Sequence, residues 1–294
     1  GAAVAGRAAL GVSDLHTACK ALDEAVKGLR ANHSVGWGFR YLIPHVTALA
    51  IRGHTDEASA ALAILDDMKR PFRSLDYEQS LSRAWVAAGQ GVVSEALDIV
   101  LGAADRANDA GRFGAEVLCL QTAAQFGDST RAARLRELES IVEGPRVALA
   151  SRFAGALRDD DASELALLSE EFERMGDLVA AVDAAAHAAL IHRRHDRRGS
   201  ALGCSTRAGD LAEQCGANTP ALRLASEHLP LTEREHEIVM LIGEGLQNRA
   251  VAERLTLSVR TVESHIYRAM AKTGTTTREE LAALLPRRTR KQTN

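Results

Sequence analysis

The sequence has few aromatic residues, few prolines and no long apolar run. Aromatic side chains make up 4% of its 294 residues, and only six residues are proline. No run of 18 apolar residues and no signal-peptide pattern is present, so we expect no membrane association and a cytoplasmic location. Alternating patterns of Val, Ile, Thr and aromatic residues are also rare, which favours an all-α fold.

Cysteine and catalytic motifs are equally sparse. The four cysteines lie far apart without a CxxC pair, so we predict free, mostly buried thiols at Cys19, Cys119, Cys204 and Cys215. The sequence contains no GxSxG element, no Cys/His nucleophile pattern and no GxxxxGK[ST] phosphate loop. We therefore expect a protein that is not an enzyme and that uses no cofactor within this chain.

Two clusters have the residue types of metal ligands but the wrong surroundings. His187, His192 and His195 lie near four arginines, whose positive charge disfavours a bound cation. A solvated basic face or contact with an anionic partner is the better interpretation of that cluster. The three aspartates of 159–161 lack the ligand spacing of a calcium loop and are expected to cap a helix.

The charge is distributed unevenly along the chain. The net charge is −3, but residues 229–294 carry eleven Lys/Arg against eight Asp/Glu, a net +3, and the remainder carries 25 against 31, a net −6. The positive excess comes from four basic residues in the tail, 286–294. Such a tail can attract DNA phosphates, and it is equally consistent with a disordered end.

Residues 13–215 have the pattern of a helical-hairpin solenoid. A turn residue recurs at Gly53, Gly91, Gly127 and Asp160, at intervals of 38, 36 and 33 residues. A period near 34 with alanine-rich helix faces is typical of tetratricopeptide-like hairpins, which present a concave surface to a protein or small-molecule ligand. A simple spacer remains an alternative. The residues expected to start the helices after these turns are Thr55, Ser94, Ser129 and Ser163.

A linker and a small helical unit follow the array. Residues 216–228 are rich in Gly, Pro and Asn and are predicted to form a linker with a hinge. Residues 229–285 divide into four short amphipathic helices, of which Gly243 and Gly245 end the first. Their expected N-terminal caps are Thr232 (with Glu235 completing a capping box), Asn248, Ser258 and Thr277.

The second and third of these helices are separated only by a tight turn between Leu255 and Ser258. Two helices joined in this way form a helix-turn-helix, whose second helix can enter a major groove of DNA. Its apolar stripe consists of Val262, Ile266 and Met270. Its polar face would be an ordinary solvated surface in an isolated helix, but the preceding helix and turn favour DNA contact.

The segment is similar to the LuxR-type (GerE-like) DNA-binding domain of bacterial transcriptional regulators. The matching residues are Leu231, Thr232, Arg234, Glu235, Glu237, Gly245, Asn248, Val251, Ala252, Leu255, Leu257, Ser258, Thr261, Val262, His265, Lys272 and Gly274. The resemblance implies that Glu263, Ser264 and Tyr267 face the bases. It also implies that the fourth helix, residues 277–285, contributes to self-association on double-stranded DNA.

Positions near the DNA backbone follow from the resemblance and from charge. Thr261, His265 and Lys272 are implied to lie near the backbone or to brace the fold. The expected phosphate contacts are Arg249, Arg260, Thr261, His265, Arg268 and Lys272. Two positions depart from the family pattern, in which Glu263 is commonly basic and Thr273 is commonly Leu. Glu263 either accepts from a cytosine amino group or pairs with a neighbouring arginine and excludes wrong sites.

The whole arrangement resembles the C-terminal part of MalT-like large ATP-binding regulators. In those proteins an ATPase domain precedes the array, so ATP is expected only if such a domain lies upstream of Gly1. We predict a regulator whose array senses a ligand or partner and whose C-terminal unit reads DNA. An interaction scaffold, in which that unit makes protein contacts, is the alternative. A sigma factor is disfavoured by the acidic, aromatic-poor upstream region.

Overall fold

The computed structural model describes residues 1–31, 37–67, 75–226, 231, 233–243 and 245–282. Within those ranges no strand occurs and seventeen α-helices follow one another, which confirms the predicted all-α class. The helices are α1 (Ala2–Gly11), α2 (Leu15–Ala31), α3 (Trp37–Ile51), α4 (Thr55–Asp67), α5 (Asp76–Gly89), α6 (Val93–Asp109), α7 (Phe113–Gln125), α8 (Ala132–Leu138), α9 (Pro145–Arg158), α10 (Ala162–Met175), α11 (Leu178–Arg194), α12 (Arg198–Cys215), α13 (Pro220–Ser226), α14 (Glu233–Gly243), α15 (Asn248–Leu255), α16 (Val259–Thr273) and α17 (Arg278–Ala282).

The buried apolar residues form two separate clusters. The first extends from Ala9 to Ala225 and consists largely of alanine and leucine, and the second extends from Ile238 to Leu281. The described residues thus pack as a helical array followed by a small C-terminal unit. The boundaries at 215, 228 and 285 stay predictions, because 227–230 and 283–294, which include the predicted tail, lie outside the described residues.

The four recurrent turns that the sequence indicated adopt the same backbone conformation. Gly53, Gly91 and Gly127 have φ of +76°, +88° and +93°, and Asp160 has φ of +51°. Each follows the end of a helix and reverses the chain into the next one. Glycine favours this left-handed region because it has no Cβ, which explains its recurrence at these sites.

Of the four residues expected to start the helices after these turns, Thr55 is the first residue of its helix and the other three are not. Helix α6 has Val92 at its N-cap, whereas the carboxylate of Asp161 caps α10 by accepting from the amides of Ser163 and Glu164 at 3.1 and 3.0 Å. Helices α6 and α10 begin one residue before Ser94 and Ser163, whereas α8 begins three residues after Ser129.

Helix α11 is the central helix of the array. It is buried around most of its circumference from Val179 to His192, and it contacts α7, α10, α12 and α13. A helix that is apolar on all sides belongs in an interior, and its alanine side chains allow neighbouring helices to approach closely. The alanine-rich helix α11 therefore forms the centre of the first cluster.

The beginning and the end of the array are in direct contact. The backbone amide of Leu178 donates to Ser13 Oγ at 3.1 Å, and the amide of Asn218 donates to the carbonyl of Ile51 at 2.8 Å. Arg223 Nη2 donates to the carbonyl of Ala88 at 3.2 Å. Helix α1, upstream of the expected start at residue 13, also packs on α2. The array is thus closed on this side, rather than open along its length.

The predicted linker is largely a packed helix. Helix α13 buries Pro220, Ala221, Leu222 and Ala225 against α11 and α12. Gly216 ends α12 with φ of +81°, and Pro220 is the first residue of α13, a position where proline is favourable. The glycine and proline therefore mark the end of one helix and the start of another, and a hinge within 216–226 would break these contacts.

A buried carboxylate holds α13 on the array. Asp183, in α11, is fully buried and bonds through Oδ1 to Thr219 Oγ1, while its Oδ2 accepts from Gln125 Nε2 at 2.9 Å. Thr219 Oγ1 in turn accepts from the amide of Leu222 at 3.2 Å in the first turn of α13. Burial raises the pKa of Asp183 to about 7. This network therefore connects α7, α11 and α13 through one titratable group.

Candidate DNA-binding surface

The C-terminal unit contains the expected helix-turn-helix. Helices α15 and α16 are joined by three residues, of which Thr256 adopts the left-handed conformation with φ of +55°. The amide of Leu257 then donates to the carbonyl of Ala252 at 2.9 Å, which closes the turn. Helix α14 ends at Gly243, and Gly245 follows with φ of +87°, as the two glycines indicated.

The helix starts agree with the sequence at two of the four expected caps. Ser258 Oγ accepts from the amide of Thr261 at 3.1 Å, and Thr277 Oγ1 accepts from the amide of Glu280 at 3.1 Å. Glu280 returns a bond to the amide of Thr277 at 3.1 Å, a capping box that the sequence analysis missed. Asn248 is already helical, with Gln247 at the N-cap, and its Oδ1 accepts from Arg278. Thr232 lies outside the described residues.

One face of α16 packs on the rest of the unit. Val262, Ile266 and Ala269 are buried there, and Met270 is half-buried against them. Thr273, where the family commonly has leucine, is also buried, and its hydroxyl donates to the carbonyl of Ala269 at 2.8 Å. The predicted apolar stripe is confirmed, and the backbone bond explains how a polar side chain is accommodated at position 273.

The opposite face of α16 is open to solvent. The residues exposed along it are Arg260, Glu263, Ser264, Tyr267 and Arg268. Tyr267 is the most prominent of these, with 76% of its surface accessible to solvent. Glu263 forms no ion pair with any described residue, so its pairing with a neighbouring arginine is not seen. The described part of the array leaves this face uncovered.

The remaining predicted phosphate contacts are placed differently from one another. Arg249 is exposed and pairs with Glu253 at 3.3 Å, whereas Thr261 is half-buried with its hydroxyl 2.7 Å from Ser258 Oγ. His265 is half-buried, and its Nδ1 has no hydrogen-bond partner within the described part of the chain.

Lys272 is turned towards the interior of the unit. Its Nζ lies 2.6 Å from Glu235 Oε2, and the side chain of Glu235 is only 3% exposed. This ion pair joins α14 to the last turn of α16. Such a pair fits a bracing role for Lys272, one of the two that the resemblance implied, and the phosphate contact stays a prediction.

The clustered histidines lie in α11 and directly after it. His187 Nε2 bonds to the carbonyl of Gln125 at 2.9 Å, and burial followed by the charge of Arg197 lowers the pKa of His192. No group of three or more metal-ligating side chains occurs among the described residues. The cysteines are free thiols, as predicted, and three of the four are buried. None of the helices in the described ranges is long and apolar enough to span a membrane.

Comparisons with known proteins identify the same segment. The luxR family of bacterial regulatory proteins matches residues 229–285. The response regulator Rre1 of Synechocystis is 43% identical over 53 residues, which are 18% of this chain and 23% of that protein. A putative HTH-type transcriptional regulator of Mycobacterium tuberculosis is 41% identical over 58 residues, 20% and 7% of the two chains.

A third relative gives the same extent of similarity. The oxygen regulatory protein NreC of Staphylococcus aureus is 45% identical over 51 residues, 17% of this chain and 24% of that protein. The chain thus spans about a quarter or less of the length of these relatives. No solved structure matches the chain. Residues 229–285 therefore belong to the luxR family of helix-turn-helix domains found in bacterial regulatory proteins.

Proposed function

We propose that the protein is a transcriptional regulator that reads double-stranded DNA with α16. The observation that carries the proposal is the open face of α16, on which Glu263, Ser264 and Tyr267 are exposed while the other face is packed in the unit's core. A polar face held rigidly after a tight turn can enter a groove without rearrangement. Three relatives of the domain have names that describe regulators.

The roles of the exposed residues follow from their chemistry. Glu263 accepts from a cytosine amino group, and Ser264 bonds to either an acceptor or a donor on a base edge. Tyr267 places its ring and hydroxyl in the groove, while Arg260 and Arg268 bind phosphates. Two copies paired on DNA bring their α16 helices to half-sites about one helical turn apart.

The array supplies the regulatory part of the proposed function. A groove of about 570 Å³ runs along α4, α5 and α6. Its lining is mixed in charge, with Asp66, Arg83 and Arg106 among the side chains that face it. A polar groove of this size is suited to a peptide segment or a polar small molecule, which is the class of ligand that we assign to it.

Replacing Arg268 with alanine should weaken binding to every duplex alike. Its guanidinium is exposed beside the base-facing residues, where it neutralises one phosphate. Losing one phosphate contact should lower the slope of log affinity against log salt by about 0.9 without changing the preferred sequence. The measurement is a salt series of binding isotherms for the full chain on two unrelated duplexes.

Arg174→Ala, on the exposed surface of α10 in the array, is the matched control because it removes the same charge far from α16. An equal slope for the wild type, Arg268→Ala and Arg174→Ala would contradict the phosphate role. If the wild-type chain binds no duplex even in dilute salt, the protein-interaction scaffold replaces the regulator as the better account.

A further inference from the structure

Three exposed arginines form a basic corner where α11 ends and α12 begins. The corner consists of Arg194, Arg197 and Arg198, and Asp196 reverses the chain between the two helices with φ of +54°. The side chains of Arg194 and Arg198 are 61% and 57% exposed. The neighbouring Arg193 instead donates to the carbonyl of Ala225 at 2.7 Å and secures α13. The three side chains remain exposed on the surface, although Arg194 pairs with Asp160 in the turn before α10.

The basic corner lies against the end of the helix assigned to the bases. Gly274 ends α16 with φ of +71°, and a Cβ built on it would lie 3.0 Å from the backbone nitrogen of Gly199. Gly199 is the second residue of α12, directly after Arg198. Because both positions are glycine, the two backbones can approach this closely. The contact keeps the basic corner beside α16.

The C-terminal unit has no excess of positive charge of its own with which to bind DNA phosphates. Residues 229–285 contain seven Lys/Arg and eight Asp/Glu, a net charge of −1. Binding to DNA draws most of its affinity from neutralised phosphates. The basic corner contributes three positive charges, partly offset by Asp160 and Asp196, which pair with Arg194 and Arg198. Exposed ion pairs of this kind are weak, so the arginines can exchange a carboxylate for a phosphate.

The dimensions of α16 place its end near the DNA backbone. Its fifteen residues span roughly 22 Å, whereas the major groove is about 12 Å wide. From Tyr267 to Thr273 the helix rises roughly 9 Å, so its end is within reach of the phosphates that border the groove. The basic corner adjoins that end of the helix.

We infer that the basic corner of the array binds backbone phosphates of the same duplex that α16 reads. This inference rests on the proposed DNA-binding function. It makes the array a direct part of the DNA interface, with two contact surfaces on one duplex. The sequence cluster around His192 and His195 thus acquires an anionic partner, which is nucleic acid rather than protein.

The test uses the full chain and two variants of equal net charge. The first replaces Arg194, Arg197 and Arg198 by glutamine. The second replaces Lys20, Lys27 and Arg174 by glutamine, and removes the same charge from exposed positions on α2 and α10. Arg174 precedes the start of α11, about 25 Å along that helix from the corner. Circular dichroism melts verify that both variants fold.

We expect the corner variant to bind DNA at least about tenfold more weakly in dilute salt than the control. The slope of log affinity against log salt should also be lower, by about 0.9 for each of the one to three phosphate contacts that are lost. The preferred sequence should not change. Equal affinity and slope for the two variants, with wild type binding DNA, would overturn the inference and leave the proposed function intact. Failure of wild type to bind DNA would overturn both.

Discussion

Replacing Lys272 with methionine is expected to destabilise the C-terminal unit by about 2–3 kcal/mol. The substitution removes the cation that lies 2.6 Å from Glu235, whose side chain is 3% exposed, and taking one member from a buried ion pair is strongly destabilising. The estimate is below the 3–5 kcal/mol typical of buried pairs because Lys272 itself is 35% exposed. For a unit of this size the melting temperature should fall by roughly 10–20 °C.

The same variant separates two roles for Lys272. If Lys272 braces α14 and α16, the double variant Glu235→Leu, Lys272→Met should be more stable than Lys272→Met alone, because it removes the buried carboxylate as well as the cation. If Lys272 instead binds phosphate, the single variant should keep the wild-type melting temperature and lose only DNA affinity. Differential scanning calorimetry of the full chain, followed by DNA binding below the melting temperature, distinguishes the two outcomes.

Replacing Asp183 with asparagine is expected to stabilise the array at alkaline pH. Burial raises the pKa of Asp183 to about 7, against about 3.9 for an aspartate in an unfolded chain. The folded state therefore binds this proton more tightly than the unfolded chain does. The stability that the proton contributes is fully present below about pH 4 and is lost as the pH rises through about 7. Asparagine avoids this loss, since its oxygen can accept from Gln125 and its amide can donate to Thr219.

The free energy of unfolding of Asp183→Asn relative to wild type should rise by up to about 3 kcal/mol between pH 5 and pH 8. Comparing the two proteins at each pH cancels the contribution of the histidines. Burial lowers the pKa of His187, so its titration changes the stability in the opposite sense, but it does so equally in both proteins. Asp210→Asn, an exposed change on α12, should show no such trend. Parallel urea titrations at each pH provide the measurement, and a constant difference for Asp183→Asn would refute the assignment.

Much of the fold could be predicted because local rules determine it. The turns at Gly53, Gly91 and Gly127 depend on backbone preference, and Ser258 and Thr277 cap their helices through bonds to residues three positions ahead. The two faces of α16 follow from helical periodicity alone. Such features need only a few neighbouring residues, so a single sequence contains them.

Features that depend on distant residues could not be predicted in the same way. The network of Asp183 joins residues 36 and 58 positions apart, and the contact of Leu178 with Ser13 spans 165 positions. No local signal indicates that the array closes on itself. The same limit applies to Lys272, since only the fold shows that its partner is Glu235, 37 residues earlier.

The proximity of Gly199 and Gly274 is a further case of this kind. Neither glycine is unusual within its own helix, and the four arginines near His192 read as an isolated basic cluster when only the sequence is considered. The fold brings the cluster beside α16 and gives it a second interpretation. The signal that could have found it was the net charge of −1 for residues 229–285, which implies that positive charge must come from elsewhere.

Site selection from randomised duplexes tests the reading of DNA by α16 most directly. The full-length wild type and Tyr267→Ala are each used to enrich binding sequences, because Tyr267 is 76% exposed at the centre of the open face and its removal leaves the core of the unit unchanged. Wild type should enrich one defined motif, and Tyr267→Ala should lose or change the preference at a base position within it. Enrichment of one identical motif by both proteins would contradict the placement of α16 in the groove.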